Sequence, residues 1–194
     1  MIAYQKEKIK NAICYFASEH YKRTKSLLFQ TLLYKFLAYL DFKSVEVTGK
    51  PSLGLEYTAY PKGPVPPEIR NKRYNYKTDC FEFIDKGNNY VVIESKREPN
   101  LDYFSEFEIE VMNKLLDEYS ILGIRQKDII NRIIDDSHKD IIAWKIARER
   151  PGSSRKMYYE DTFNTLYEKK AKDLTIQKEA FLTYKDLQEI TWWI

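Results

Sequence analysis

The sequence has few of the residues from which catalytic centres are usually assembled. It contains two histidines and two cysteines in 194 residues. Cys14 and Cys80 stand far apart and form no CxxC pair, so neither a zinc centre nor a disulfide framework is expected, and both read as reduced thiols. The six glycines are scattered and build neither GxGxxG nor GxxxxGK[ST], which removes the familiar phosphate loops. There is no GxSxG elbow, and Ser137 beside His138 reads as a helix N-cap rather than a nucleophile. The longest apolar stretch, 27–40, is broken by Gln30, Thr31 and Lys35 and falls short of the roughly 20 residues of a membrane span. The first ten residues, MIAYQKEKIK, lack the apolar core of a secretory signal, so a cytoplasmic protein without membrane association is expected. No cofactor is implied.

What is present is a folding composition. A hydrophobic fraction of 43% and an aromatic fraction of 15% belong to a globular chain long enough for a full core. Sixteen tyrosines supply rigid, amphipathic contact area of the kind that protein recognition uses. The net charge of +3 conceals an asymmetry: residues 1–43 carry eight bases against three acids, and residues 101–120 carry six acids against one base. Such fields are either solvated helix faces or surfaces that steer a partner.

Ile9, Ala12, Ile13 and Phe16 recur at helical spacing, as do Leu28, Leu32, Lys35, Phe36 and Tyr39, which predicts two amphipathic helices joined near 21–24. From Ser44 the β-branched and aromatic pattern predicts a loop and then a strand over 56–60. CFEFID and NNYVVIESK, separated by Lys86 and Gly87, predict an antiparallel hairpin. Ser105 with Glu108 forms a capping box before a helix that ends ahead of Gly123. Two further helices are expected over 125–136 and 138–149, separated by DDSH, and a last one over roughly 165–191. The fold class is helix-dominated α+β: a compact helical domain with a small antiparallel sheet or hairpin, plus a C-terminal helical extension.

Two constellations carry chemistry. Asp79 ahead of one strand, with Glu94 and Lys96 closing the next, matches the order of a metal-dependent PD-(D/E)xK nuclease, in which two carboxylates hold the ion and the lysine orients water. The more common origin of such a pattern is an ordinary charged strand end. RNKRYNYK (70–77) interleaves Arg70, Lys72, Arg73 and Lys77 with Tyr74 and Tyr76, either a phosphate- and base-contacting segment or a solvated loop.

Four blocks in order, KFLAYLD (35–41), GKPSLGLEYTAYPKGPVP (49–66), REPNLDYFSEFEIE (97–110) and SHKDIIAW (137–144), carry a more specific signal. They resemble the Panacea, or SocA-like, antitoxin domain family, and the YxAxxxGPV element is the most specific part. The likeness runs from about residue 9 to residue 163, placing that domain over 1–163 and the helical extension over 164–194. The residues that match are Lys35, Leu37 and Asp41 in the first block and Gly49, Gly54, Tyr57, Ala59, Gly63, Pro64 and Val65 in the second. Asp102, Ser105 and Glu106 match in the third, and His138 and Trp144 in the fourth. The resemblance implies a non-enzymatic antitoxin that binds a cognate protein toxin, its motif residues serving as scaffold or as partner contacts. At least one relative is an adaptor that delivers its toxin to a protease. DNA binding stays open.

Within the second block, Gly63, Pro64, Pro66 and Pro67 restrict the chain between strand and helix, which fixes how the two face each other and pre-orders a surface. At the other end of the sequence, Trp192, Trp193 and Ile194 are expected to be covered, by the chain's own core or as anchors in a partner.

Overall fold

Helix α2 organises the molecule, and the reason lies in its composition. In the computed structural model, which describes residues 2–76, 78–164 and 175–190, α1 spans Gln5–Thr24, a short strand β1 covers Leu28–Phe29, and α2 spans Gln30–Thr48. Leu32, Leu33, Phe36, Leu37, Ala38, Leu40, Phe42 and Val45 lie on every side of α2 and all are buried. A helix apolar all round is stable only inside a protein.

Ile9, Ala12, Ile13 and Phe16 of α1 face this centre and are buried, with the Phe16 and Phe36 rings 4.9 Å apart. Charge supports the ends of α1: Glu7 lies in its first turn, Lys22 and Arg23 in its last. Its last turn is closed by Lys25, whose φ of 59° lets the backbone N–H reach the Tyr21 carbonyl.

After α2 come β2 (Tyr57–Tyr60), β3 (Gly63–Val65) and the short helix α3 (Pro67–Lys72), which opens on a proline where no backbone donor is needed. β4 (Phe81–Asp85) and β5 (Val91–Ser95) form the expected hairpin, with Phe83 opposite Ile93. Its turn places Gly87, Asn88 and Asn89 at positive φ, the region that Gly and Asn tolerate best. β1 pairs with the far side of β5, giving a three-stranded antiparallel sheet in the order β1-β5-β4.

A 3-10 turn (Leu101–Tyr103) leads into α4 (Glu106–Tyr119), followed by α5 (Gln126–Asp140), α6 (Ile142–Glu149), β6 (Lys156–Met157), a second 3-10 turn (Tyr159–Phe163) and α7 (Thr175–Ile190). β6 pairs with β2 to make a second small sheet, β3-β2-β6. Seven α-helices around two small antiparallel sheets, among the described residues, make this a helix-dominated α+β fold.

Three local expectations are corrected. α2 continues through Ser44–Thr48 and stops only at Gly49, whose φ of 76° ends the helix; burial of Ser44 and Val45 outweighs the strand-like composition. DDSH does not separate two helices, because it lies in the last turns of α5 and the break falls at Ile141. Ser137 is therefore no N-cap: it is fully buried and its Oγ donates to the Ile134 carbonyl at 2.9 Å. Trp192, Trp193 and Ile194, and Lys77 of the basic segment, lie outside the described residues.

Candidate functional site

The motif residues converge on two enclosed centres. The first is Asp41, on the face of α2 turned toward the loop that follows it. The chain Leu53-Gly54-Leu55 wraps the carboxylate: Oδ1 accepts from the Leu53 and Gly54 backbone N–H groups at 2.5 and 3.0 Å, and Oδ2 accepts from Leu55 N–H at 3.2 Å and the Tyr57 hydroxyl at 2.8 Å. The Tyr159 hydroxyl stands 3.0 Å from Oδ2 and 2.6 Å from the Leu55 carbonyl, so its one proton lies between two acceptors. Asp41 has no exposed surface. Burial raises its pKa, and the hydrogen bonds from the loop and Tyr57 oppose that rise. The phenols of Tyr57 and Tyr159 are pushed up by their own burial and by the Asp41 charge. This centre ties α2, the loop, β2 and the second 3-10 turn together through one side chain.

The second centre is Lys35, one turn and a half before Asp41 and 1% exposed. Its Nζ donates to the Pro64 carbonyl at 3.1 Å, and no described carboxylate pairs with it. Burial lowers the ammonium pKa to about 7. Gly63 has φ of 93° and lies against this side chain: a Cβ there would come within 2.6 Å of Lys35 Cε and 2.8 Å of Ser137 Oγ. Ala59 and Pro64 are paired across β2 and β3, and Ala59 N–H donates to the Arg155 carbonyl at 2.8 Å, joining β6. Val65 closes the same hairpin opposite Thr58.

His138 and Trp144 cap this region. Their rings stack at 3.6 Å and 11°, and Trp144 Nε1 donates to the Tyr60 carbonyl at 3.0 Å, clamping the α5–α6 corner onto the hairpin. Burial, and then the neighbouring Lys35 charge, lower the His138 pKa. Gly63→Ala is accordingly expected to destabilise the protein by about 1–3 kcal/mol, through positive-φ strain and displacement of Lys35. Urea denaturation measures it, and a loss within error of zero would mean that Lys35 moves aside freely.

The third block behaves differently. Ser105 caps α4, accepting from Glu108 N–H at 3.3 Å while the Glu108 carboxylate accepts from Ser105 N–H at 2.8 Å. Lys8 of α1 pairs with the same carboxylate at 2.6 Å. Asp102 and Glu106 are exposed. Asp102 lines a cleft of about 710 Å³ with Tyr4, Lys50, Tyr103, Glu108 and Tyr184, between the start of α1, the loop after α2 and α7.

Each of the three residues of the nuclease pattern has a charged neighbour outside the set. Asp79 is held by Arg97 at 3.0 Å and Lys96 by Glu82 at 2.6 Å, while Glu94 is exposed directly opposite Glu82. Among the described residues no group of three or more potential metal ligands occurs. The described bases of this segment are engaged with nearby side chains: Arg70 lies over the Tyr60 ring, Arg73 over Tyr74, and Lys72 pairs with Glu68 at 2.9 Å. No described helix is long and apolar enough to cross a membrane.

Sequence reasoning missed Tyr159, which completes the Asp41 cage from the far end of the chain, and His20, buried on α1 with Nδ1 2.8 Å from Ser120 Oγ. Burial lowers the His20 pKa to about 4. Neither residue stands in a local pattern that marks it.

Comparison with curated proteins and with solved structures gives no match. A family model described as Antitoxin SocA-like, Panacea domain, matches residues 33–145, more than half of the chain. That span runs from α2 into α6 and contains every motif residue from Lys35 to Trp144, including Asp41, Lys35 and the β2–β3 hairpin, and leaves α1, α7 and the Tyr159 that completes the Asp41 cage outside. The chain belongs to the SocA-like Panacea antitoxin-domain family.

Proposed function

We propose that this protein is an antitoxin that neutralises a cognate protein toxin by direct, stoichiometric binding. The family match carries the reading. The chemistry of the chain supports it. Asp41 and Lys35, two strongly perturbed groups, are sealed inside the scaffold, where they hold elements together instead of facing a substrate. The outside carries aromatic residues, with Tyr4, Tyr21, Tyr74 and Tyr90 all more than 40% exposed. Tyrosines of this kind give large contact area at low entropic cost. Residues 1–163 form the antitoxin domain in this reading, and 164–194 an extension to it.

The test is co-expression with the protein encoded by the adjacent gene. Growth rescue together with a complex that co-purifies at fixed stoichiometry is the expected result. Rescue with no complex at micromolar concentration would remove direct binding as the mechanism and favour delivery to a protease.

A further inference from the structure

The loop between α4 and α5 turns two large aliphatic side chains toward solvent, at a place where polar residues are the usual choice. Leu122 is 67% exposed and Ile124 45%, on either side of Gly123, whose φ of 83° makes the turn. Tyr90, which closes the β4–β5 turn, is also exposed and stacks on Phe29 of β1 with the rings 5.1 Å apart. Ile124 and Tyr90 line one cleft of about 360 Å³, and Leu32, Val92 and Ile129, all buried, lie beneath them. His20 lines it too and is neutral at pH 7, burial having lowered its pKa to about 4. The Tyr90 hydroxyl donates to Gln126 Oε1 at 2.9 Å, so the hairpin turn and the start of α5 are already tied together and the cleft is pre-ordered.

The unpaired charge around this cleft is positive. Lys86 lines it, Lys25 lies between the lining residues Thr24 and Ser26, and Lys127 follows the lining residue Gln126. Among the described residues no carboxylate pairs with these three lysines. The nearest acids in sequence are engaged: Asp85 accepts from Gly87 N–H at 2.8 Å, and Asp128 pairs with Arg125 at 2.8 Å. The concave apolar interior fits a side chain that protrudes from another protein, and the lysines fit acids beside it.

We propose that this cleft receives a large apolar side chain of the protein partner, carried on a segment whose flanking acidic residues meet Lys25, Lys86 and Lys127. Leu122 and Ile124 supply the apolar lip over which that segment lies. The inference rests on the reading of the chain as a binder of a protein partner, and supplies the surface that reading lacks.

The test measures association and dissociation of the complex with the co-expressed toxin candidate, using the full-length protein. Ile124→Glu sets an acid against the partner's acids and removes apolar contact, so the complex weakens about tenfold or more. Leu122→Ser removes apolar surface alone and weakens it about threefold or more, which keeps the test open should Ile124→Glu fold poorly. Lys86→Glu combined with Lys127→Glu slows association about fivefold or more at low salt, and the deficit shrinks at high salt. Ile176→Ser, at a position 78% exposed on α7, is the control and leaves the affinity unchanged.

Unchanged affinity in Ile124→Glu and Leu122→Ser, an equal loss in Ile176→Ser, or an association rate indifferent to the two lysines overturns this inference while leaving direct neutralisation intact. Two further outcomes overturn it by giving the surface to another occupant: wild-type binding to phosphatidylserine vesicles, or a wild-type dimer, either one abolished by Ile124→Glu while the toxin complex stays as tight. Failure of the wild type itself to form a complex sinks the functional reading, and this inference with it.

Discussion

Asp41→Ala is expected to lower the free energy of unfolding by about 3–5 kcal/mol, the range for removing one member of a buried charged cluster. The carboxylate is the common acceptor for three backbone N–H groups and the Tyr57 hydroxyl, with Tyr159 within reach as a fifth donor. Tyr159 can turn wholly to the Leu55 carbonyl, but the other four donors are left without this acceptor in the alanine variant unless water enters, and each buried donor left unpaired costs about 1–3 kcal/mol. The protein gains a small cavity at the same time, which adds to the loss. Asp41→Asn keeps one acceptor oxygen but points an amide donor at other donors, so its loss should lie between wild type and alanine. Tyr159→Phe removes a single shared proton and should cost about 1 kcal/mol. Urea titrations of the three variants measure the series. A loss below about 1 kcal/mol for Asp41→Ala would show that the 53–55 loop does not depend on this carboxylate.

The order of that series reflects what a sequence displays and what it hides. The capping box at Ser105 and Glu108 was legible because its partners are three residues apart and the pairing is local. The β4–β5 hairpin was legible for the same reason, with turn chemistry lying between its strands. The end of α2 was misplaced because Val45, Val47 and Thr48 favour strands, and only their tertiary surroundings show that helix wins. β6 was invisible: it is two residues long and pairs with β2 from about a hundred positions away.

The motif residues were legible as a pattern, and their individual work was not. Lys35 stood on the apolar stripe of α2, which is a visible anomaly, and burial is its consequence. The Asp41 cage needed Tyr159, whose hydroxyl arrives across 118 positions of chain with no local mark. Gly49 reads as a helix stop in sequence, and its second task, admitting α7, emerges only when Gln177, Ala180 and Phe181 are placed against it.

Lys35→Met should reverse the usual direction of a core substitution. Methionine keeps the length of the aliphatic stem and removes the ammonium group, whose pKa falls from an ordinary 10.5 to about 7 in the fold. Because the unfolded chain holds the proton more tightly than the folded one, wild-type stability rises with pH between about 7 and 10.5 and is lost as pH falls toward 7. From pH 7 to 9.5 the rise should be on the order of 2–3 kcal/mol, at about 1.4 kcal/mol per pH unit where the difference is full. At pH 7 the methionine variant escapes this penalty and should be about 1–3 kcal/mol more stable than wild type. The gain is limited because the Pro64 carbonyl loses its donor. At pH 9.5 Lys35 is already neutral and still donates to Pro64, so the advantage should vanish or change sign. His138 and His20 have depressed pKa values whose effects fall below pH 7, while burial raises the Cys80 thiol to about 11 and lowers stability above about pH 9 in wild type and variant alike, so the Lys35 contribution is read from the difference between the two proteins. Paired urea titrations at pH 7 and 9.5 read the crossing directly. If the two proteins keep a constant difference in stability across that window, Lys35 keeps its proton inside the fold and the amine stays charged throughout.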